Sequence, residues 1–338
     1  MKQSTLKRGN VAIFVPHLGC PHDCSFCNQR RISGQIEQPS ILDVQAIARE
    51  GLKMLGVLAR ESELAFFGGS FTAIEPALMV SLLESAAPFV GENGFKGIRI
   101  STRPDAIDEE RLLILKKYNV TAIELGAQSM DDGVLLLNRR GHTAADVINA
   151  ARLIKLSGFE LGLQMMTGLY GDTQQGTLKT AIEIAKLQPK TVRIYPTIVL
   201  EETLLAELYH KGEYLPQSLD DAVSLCAQLL EYFFLQGIKV IRLGLHASEG
   251  IENGRISGPW HPAFRELCEN LIYLKKAEFA VQGIKADSAI LQVALGARSK
   301  LTGQHRCNIV ALEKEFGLHL SIIEGKDIPI YDVVVKKA

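Results

Sequence analysis

Short apolar segments of five to eight residues alternate with longer stretches of helical periodicity along most of the chain. Seven strands are predicted, over residues 10–16, 63–69, 97–102, 121–128, 159–166, 191–197 and 239–245. Helices are predicted over residues 41–59, 76–89, 108–118, 131–157 (in segments), 174–187, 201–210 and 218–236. Strands that are each followed by a helix indicate a parallel sheet made of βαβ units.

Polar and glycine-rich segments follow five of these strands: the loop GCPHDCSFCNQR (19–30), then GGSFT, STRPD, GAQS and QMMTGL. In α/β barrels the functional residues lie at the carboxyl ends of the strands, which all open onto one mouth. The pattern therefore predicts an α/β fold, a partial (β/α)6 TIM-type barrel. A doubly wound sheet is the alternative.

The sequence after about residue 265 has a different pattern. LCENLIYLKKAEF is helical, DSAILQVALGARSK mixes small and apolar residues, and LSIIEGKDIPIYDVVVKK suggests a short pair of strands. We predict a barrel domain over residues 1–265 and a small C-terminal α+β extension over 266–338.

The composition is that of an ordinary soluble globular protein: 338 residues, 47% hydrophobic and 22% charged. The net charge of −1 provides no global field that would recruit nucleic acid or an anionic membrane. The polar N-terminus and the short apolar run after it resemble neither an export signal nor a membrane span. We therefore expect a cytoplasmic protein with reduced thiols and no membrane partner.

Three of the six cysteines, Cys20, Cys24 and Cys27, lie within eight positions. A disulfide fits an odd number of cysteines poorly. A structural zinc site needs four ligands, and His17 or His22 could supply the fourth, but such sites usually use two separated ligand pairs. A 4Fe–4S cluster fits better, because three thiolates leave one iron open for another ligand.

The spacing C-x3-C-x2-C, with Phe26 before the last cysteine, resembles the signature of the radical S-adenosylmethionine superfamily. The resemblance implies a 4Fe–4S cluster on the three cysteines and S-adenosylmethionine chelated to the open iron. It also implies reductive cleavage to a 5′-deoxyadenosyl radical, with reduced flavodoxin or ferredoxin as electron donor. Radical hydrogen abstraction requires no general acid or base, so no catalytic side chain is selected.

The resemblance also implies a binding pocket for S-adenosylmethionine. Gly68, Gly69 and Ser70 are similar to the family's GGE-type motif, in which the backbone receives the cofactor's ammonium group, although Ser70 replaces the acid. The other residues expected at the cofactor are Phe26, Arg103, Gln128, Arg140 and Gln164.

Each of these polar residues has its own expected partner. Arg103 could pair with a carboxylate as a bidentate fork, or lie exposed before a helix. Gln128 suits a ribose or a carboxylate. Arg140 matches the arginine of an R-x-H-T element, whose His142 precedes a helix capped by Thr143. Gln164 stands where related enzymes often carry an acid that binds the ribose.

The segment RIYPTIVLEETLLAELYHKGEYLP, 193–216, is similar to the radical domain of the catalytic subunit of Elongator, as are FFGGSFT, STRPD and GAQS. That family modifies the wobble uridine of transfer RNA, so a transfer RNA is an expected substrate. The similarity covers roughly residues 8–245. The first cysteine interval is shorter here, and the remaining chain is too short for the family's acetyltransferase domain, so no use of acetyl-CoA is expected.

Two residue pairs and one basic group each have two possible interpretations. Arg193 and Tyr195 either face the substrate or pack in the strand. Trp260 and His261 either cover the barrel mouth or join the tail to the barrel as a hydrophobic plug. A basic group in the tail is either an RNA contact or a solvated face; it comprises Arg298, Lys300, His305 and Arg306.

Two other functions remain open at this point. The R-x-H-T element and the position of Gln128 also occur in enzymes similar to coproporphyrinogen dehydrogenase, so the same chemistry could act on a small molecule or a tetrapyrrole. A non-catalytic iron–sulfur carrier is the other alternative, although a carrier needs no glycine pair and no pocket of arginine and glutamine.

Overall fold

A computed structural model describes residues 9–16, 18–20, 23–28, 32, 37–246 and 248–336. Its main sheet has seven strands, all parallel, in the order β1-β2-β3-β4-β5-β6-β8. These strands are β1 (Asn10–Val15), β2 (Glu63–Gly68), β3 (Gly97–Thr102), β4 (Val120–Gln128), β5 (Glu160–Thr167), β6 (Thr191–Pro196) and β8 (Lys239–Leu243).

The order of the strands in space follows their order in the chain. A doubly wound sheet reverses direction at a switch point, and this sheet has no reversal among the described strands. The doubly wound alternative is therefore wrong, and the predicted partial barrel is confirmed, with β8 as a seventh strand. All seven carboxyl ends lie along one rim.

Twelve helices accompany the strands in the described chain. They are α1 (Ile41–Leu55), α2 (Pro76–Ala86), α3 (Glu109–Lys117), α4 (Asp132–Leu137), α5 (Ala144–Leu156), α6 (Gln174–Lys186), α7 (Leu204–His210), α8 (Leu219–Leu235), α9 (Glu249–Gly254), α10 (Phe264–Val281), α11 (Arg298–Thr302) and α12 (Cys307–Phe316). The segment predicted as helical over 131–157 is interrupted between α4 and α5, and this interruption carries the R-x-H-T element.

The two faces of the sheet differ in polarity. Side chains that face the helices, such as Ile13, Leu64 and Ile100, are fully buried in one large apolar cluster. Side chains that alternate with them point into the barrel and include Arg99 and Glu124. Because successive residues of a strand point to opposite faces, the polar interior appears as charged residues inside apolar segments.

The C-terminal part contains a three-stranded sheet in the order β11-β10-β12. Its central strand is β10 (Ser288–Ala294), which pairs parallel with β11 (His319–Gly325) and antiparallel with β12 (Val333–Lys336). The two predicted end strands are present, but they do not pair with each other. The sequence pattern did not predict β10, because its small residues weaken the alternation of apolar and polar positions.

Helix α10 connects the barrel and the extension. It packs on α8 of the barrel and also on β12, α11 and α12. One continuous apolar cluster includes Leu229 of α8, Ile272 of α10 and Leu291 of β10. The domain boundary at 265/266 stays a prediction. A further two-stranded ribbon joins β7 (Val199–Leu200) to β9 (Arg255–Ser257).

No helix in the described part of the chain is both long and apolar enough to cross a membrane.

The shared cluster predicts that barrel and extension unfold together. Leu291→Ala in the extension should lower the free energy of unfolding by about 2–5 kcal/mol, because Leu291 is fully buried. The same shift should be seen by far-ultraviolet circular dichroism and by the fluorescence of Trp260, the only tryptophan. Leu295→Ala is the control, since that side chain is 60% exposed. If Leu291→Ala shifts the unfolding transition seen by circular dichroism but not the one seen by Trp260 fluorescence, the prediction is wrong.

Candidate functional site

A cavity of about 540 Å³ opens at the carboxyl ends of the barrel strands. It is lined by residues from all seven strands or from the loops after them. All eleven site residues expected from the sequence line it, namely Cys20, Cys24, Phe26, Cys27, Gly68, Gly69, Ser70, Arg103, Gln128, Arg140 and Gln164. The fold therefore brings together groups that are up to 144 positions apart in the chain (164 − 20).

Hydrogen bonds to two distant elements hold the cysteine loop. The buried Ser25 hydroxyl donates to Oδ1 of Asn138 at 2.6 Å, and the Ser25 amide donates to the Asn138 carbonyl at 3.2 Å. The amide of Leu205, in α7, donates to the Ser25 carbonyl at 2.8 Å. Asn138 stands just before Arg140, so the cysteine loop and the R-x-H-T element are fixed to each other.

Glycines allow the cysteine loop and the Gly-Gly turn to meet backbone to backbone. A Cβ atom on Gly69 would overlap the carbonyl oxygen of Leu18, and one on Gly19 would overlap that of Ser70. The amide of Ser70 donates to the Leu18 carbonyl at 3.0 Å, and Cys20 Sγ lies 3.7 Å from Ser70 Oγ. The close approach at Gly69 is thus made to the cysteine loop.

Arg140 is directed at the cysteines. Its Nη1 donates to Cys24 Sγ at 3.0 Å, its Nη2 donates to the Gly126 carbonyl at 2.8 Å, and its guanidinium lies 5.9 Å from the ring centre of Phe26. Nε of Arg140 is buried without a partner among the described residues. Arg140 thereby links the cysteine loop to the carboxyl end of β4.

Arg103 is almost fully buried, and its fork is already engaged. It forms two hydrogen bonds with Asp105, at 2.9 and 3.0 Å, and donates to the carbonyl of Arg140 at 2.8 Å. The exposed alternative for Arg103 does not match this geometry. In this arrangement Arg103 supports the backbone of Arg140.

Gln128 has a polar atom available to a ligand. A bulge in the pairing of β4 with β5 places Gln128 at a φ of 66°, which is uncommon for a residue with a side chain. Its Oε1 is buried and has no hydrogen-bond partner among the described residues. Buried polar atoms are normally paired, so this atom is placed to receive a donor from a bound molecule.

A buried ion-pair network forms the floor of the cavity. Glu124, 1% exposed, lies 2.7 Å from Nε of Arg193 and 3.3 Å from Nη1 of Arg99. Arg99 also pairs with Glu63 at 2.7 Å. Sequence reasoning did not single out Glu124, although a lone acid within an apolar strand was the available signal. Gln164 joins the network by donating to Oε2 of Glu124 at 3.1 Å.

The network holds Arg193 charged beside the cavity. Burial, the largest single effect, lowers the pKa of Arg193, but Glu124 and Tyr195 together raise that pKa above its usual value. The neighbouring Tyr195 keeps its proton because burial raises the pKa of its hydroxyl. Both residues line the cavity, so Arg193 combines a structural ion pair with a place in the wall.

His142 supports the same loop from behind. It is buried, and its ring lies with Nε2 3.2 Å from the carbonyl of Ala127, while Nδ1 has no partner in the described chain. Burial, and then the charge of Arg140, lowers the pKa of His142 from 6.5 to about 4. Thr143 caps α5 as expected, and forms a capping box with Asp146.

The remaining singled-out residues are placed as follows. Trp260 packs against a small apolar cluster formed by Ile198, Leu200 and Ile251, next to the rim, and is absent from the cavity lining. Nδ1 of His261 accepts from the amide of Ala263 at 3.1 Å. In the tail, Lys300 pairs with Glu269 at 3.0 Å. His17 and His22 lie outside the described residues.

The residues present fit a cluster better than a single ion. Within the described ranges, no group of three or more His, Cys, Asp or Glu side chains could hold one metal ion. In a 4Fe–4S cluster each thiolate binds a different iron, so three thiols need not converge on one point. Three thiols, the unpaired Oε1 of Gln128 and the Nε of Arg140 surround one cavity, which suits a cluster with a polar ligand beside it.

Comparisons with known protein families give two matches. The model of the Radical SAM superfamily matches residues 14–183, and the model of the Radical_SAM C-terminal domain matches residues 189–273. Together they cover the end of β1 and the strands β2 to β6 and β8, and the second match ends within α10.

Among curated proteins, the chain is similar to the tRNA uridine(34) acetyltransferase of Methanocaldococcus jannaschii. The two are 29% identical over 254 residues, which cover 64% of this chain and 47% of the relative. It is 30% identical over 203 residues to human Elongator complex protein 3, covering 54% of this chain and 37% of that protein. The chain thus spans about half the length of these two relatives, or less.

Among solved structures, the fold is similar to that of archaeal Methanocaldococcus infernus Elp3 with an N-terminal deletion. The TM-score is 0.64 at 22% identity, over 84% of this chain and 70% of the other. Streptococcus suis SuiB matches with a TM-score of 0.51 at 14% identity, over 71% of this chain and 50% of the other. At these identities the likeness concerns the fold alone.

The glycine contact predicts the effect of Gly69→Ala. The added methyl group must displace Leu18 and with it the first cysteine, so the variant should lose about 1–3 kcal/mol of stability and retain little iron after anaerobic reconstitution. Gly133→Ala is the control, because its Cβ would meet only the end of the Asp131 side chain, at 3.1 Å. Full iron content in Gly69→Ala would contradict the assignment.

The lowered pKa of His142 predicts an acid-sensitive fold. Because the folded protein binds this proton more weakly than the unfolded chain, its contribution is complete above pH 6.5 and is lost as the pH falls toward 4. Between pH 7 and pH 5 the free energy of unfolding should fall by about 2 kcal/mol more in the wild type than in His142→Asn. Urea titrations at the two pH values measure this difference, and equal losses would contradict it.

Proposed function

Because the chain belongs to the radical S-adenosylmethionine superfamily, whose enzymes use a 4Fe–4S cluster and S-adenosylmethionine, we propose that it modifies a nucleobase of a transfer RNA. The observation that carries the proposal is the similarity, over 64% of this chain, to a tRNA uridine(34) acetyltransferase. That relative is about twice the length matched here, so its substrate and reaction enter only as this proposal.

The proposed roles follow from the cavity. Cys20, Cys24 and Cys27 would hold the cluster, and once reduced the cluster and S-adenosylmethionine supply a 5′-deoxyadenosyl radical. Arg140 would hold Cys24 in place through its hydrogen bond to Sγ. Gln128 presents Oε1 to a donor on the cofactor. A reduced flavodoxin or ferredoxin is the proposed electron donor.

The cavity walls would keep water away from the reacting groups. Phe14, Phe67, Met166, Ile198 and Leu200 contribute apolar side chains around the polar residues. Excluding water strengthens the electrostatic contacts inside and prevents side reactions of a radical. The buried pairs below the cavity leave the floor fixed in one arrangement.

Planar groups in the wall suit a nucleobase. Tyr195 and Phe14 line the cavity, and the guanidinium of Arg193 lies 4.7 Å from the ring centre of Phe67. Proteins recognise unstacked RNA bases by stacking them on aromatic rings or arginine planes. An enzyme that acts on a base must take it out of its stack into such a pocket.

The proposal predicts that transfer RNA stimulates cleavage of S-adenosylmethionine. Protein with a reconstituted cluster should form 5′-deoxyadenosine at least about tenfold faster with bulk transfer RNA than without it, because a hydrogen donor then occupies the cavity. Nucleoside mass spectrometry of the recovered RNA should show a new mass. RNA digested to nucleosides is the control.

The same assay with porphyrinogens tests the tetrapyrrole alternative. Stimulation by a porphyrinogen but not by transfer RNA would contradict the proposal and favour that alternative. Cleavage that no RNA stimulates, with no new nucleoside mass, would also contradict it.

A further inference from the structure

The wall of the cavity built by β6 and β8 contains no residue expected at the cluster or at S-adenosylmethionine. It is formed by Arg193, Tyr195, Arg242 and His246, with apolar side chains between them. Arg193 and Arg242 lie opposite each other in the pairing of β6 with β8. This wall is therefore the part of the cavity left for the substrate.

The two arginines of this wall differ in whether a carboxylate pairs with them. Arg193 is paired with Glu124, and Arg103, elsewhere in the cavity, is paired with Asp105. Arg242 donates from Nε to the carbonyl of Gly244 at 3.0 Å, and no carboxylate in the described part of the chain pairs with it. Tyr195 keeps its proton, and burial, followed by the charge of Arg242, lowers the pKa of His246.

An arginine without a counter-ion beside apolar walls is a ready anion-binding group. Its guanidinium has five N–H donors, of which only the one on Nε is used within the described chain, in the hydrogen bond to the Gly244 carbonyl. The free edge of the fork matches the oxygens of a phosphate or a carboxylate. Pro196, Ile198 and Leu245 line the same wall, so water screens this charge less than it would at the open surface.

We propose that Arg242 binds a phosphate group of the substrate at the β6–β8 wall of the cavity. This inference rests on the proposed function, because in an RNA the group would be a backbone phosphate next to the base held in the cavity. Arg242 would then fix the position of the nucleotide without reading its base. The nearby His246 and Tyr195 are uncharged and supply no second positive charge for the anion.

The test uses protein that carries the cluster and S-adenosylmethionine, under anaerobic conditions. In Arg242→Gln, affinity for a transfer RNA anticodon stem-loop should fall about tenfold, and the slope of log K against log salt should decrease by about 0.7, as for one lost phosphate contact. Arg242→Lys keeps the charge and should keep the slope. Arg152→Gln, an equal charge change at an exposed helix position, is the control.

A second measurement does not depend on RNA. Inorganic phosphate, compared with succinate at equal ionic strength, should raise the Tm of the wild type by about 2 °C, and Arg242→Gln should abolish this rise. If the wild type binds no RNA but shows this phosphate effect, the phosphate site stands and the proposed function fails.

Three results would overturn the inference. If Arg242→Gln changes neither the salt slope nor the effect of phosphate on Tm, Arg242 does not bind phosphate. Stabilisation by succinate but not by phosphate would assign the arginine to a carboxylate instead. Weaker binding of S-adenosylmethionine to Arg242→Gln, with RNA binding intact, would assign it to the cofactor.

Discussion

The structure depends on the unbroken sequential order of seven parallel strands. That order gives every strand end the same neighbour in space as in sequence, so the loops after β1 to β6 and β8 must meet around one cavity. It also leaves a barrel interior that polar side chains can line. The charges placed there are balanced in pairs around Glu124, since an unpaired buried charge would be costly.

Much of this could be predicted from the sequence. The apolar segments gave all seven barrel strands within two residues at either end, and the motifs after them gave eleven residues that line the cavity. Periodicity succeeded because each barrel strand has one face buried against helices. It failed at β10, where small residues weaken the alternation, and at the pairing of the last two strands, which depends on a third strand rather than on either sequence alone.

The contacts inside the site were less accessible to sequence reasoning. The ion pairs of Glu124 join residues of three strands, and no local pattern encodes such pairing. The contact that requires glycine at residue 69 is made by Leu18, 51 positions away (69 − 18). Arg103 could be placed in the cavity from its motif, but its engagement with Asp105 and Arg140 depends on the fold. A motif locates a residue, whereas its partner is decided by packing.

We propose that three thiolates hold a cluster whose open iron serves S-adenosylmethionine. The most direct measurement is the electron paramagnetic resonance spectrum of the dithionite-reduced cluster, with and without S-adenosylmethionine, followed by assay of 5′-deoxyadenosine. We expect a shifted spectrum and formation of product in the wild type and in Cys307→Ala, a variant of an exposed cysteine. Cys24→Ala should lose both without unfolding. A complete cluster with an unshifted spectrum and no 5′-deoxyadenosine would contradict it.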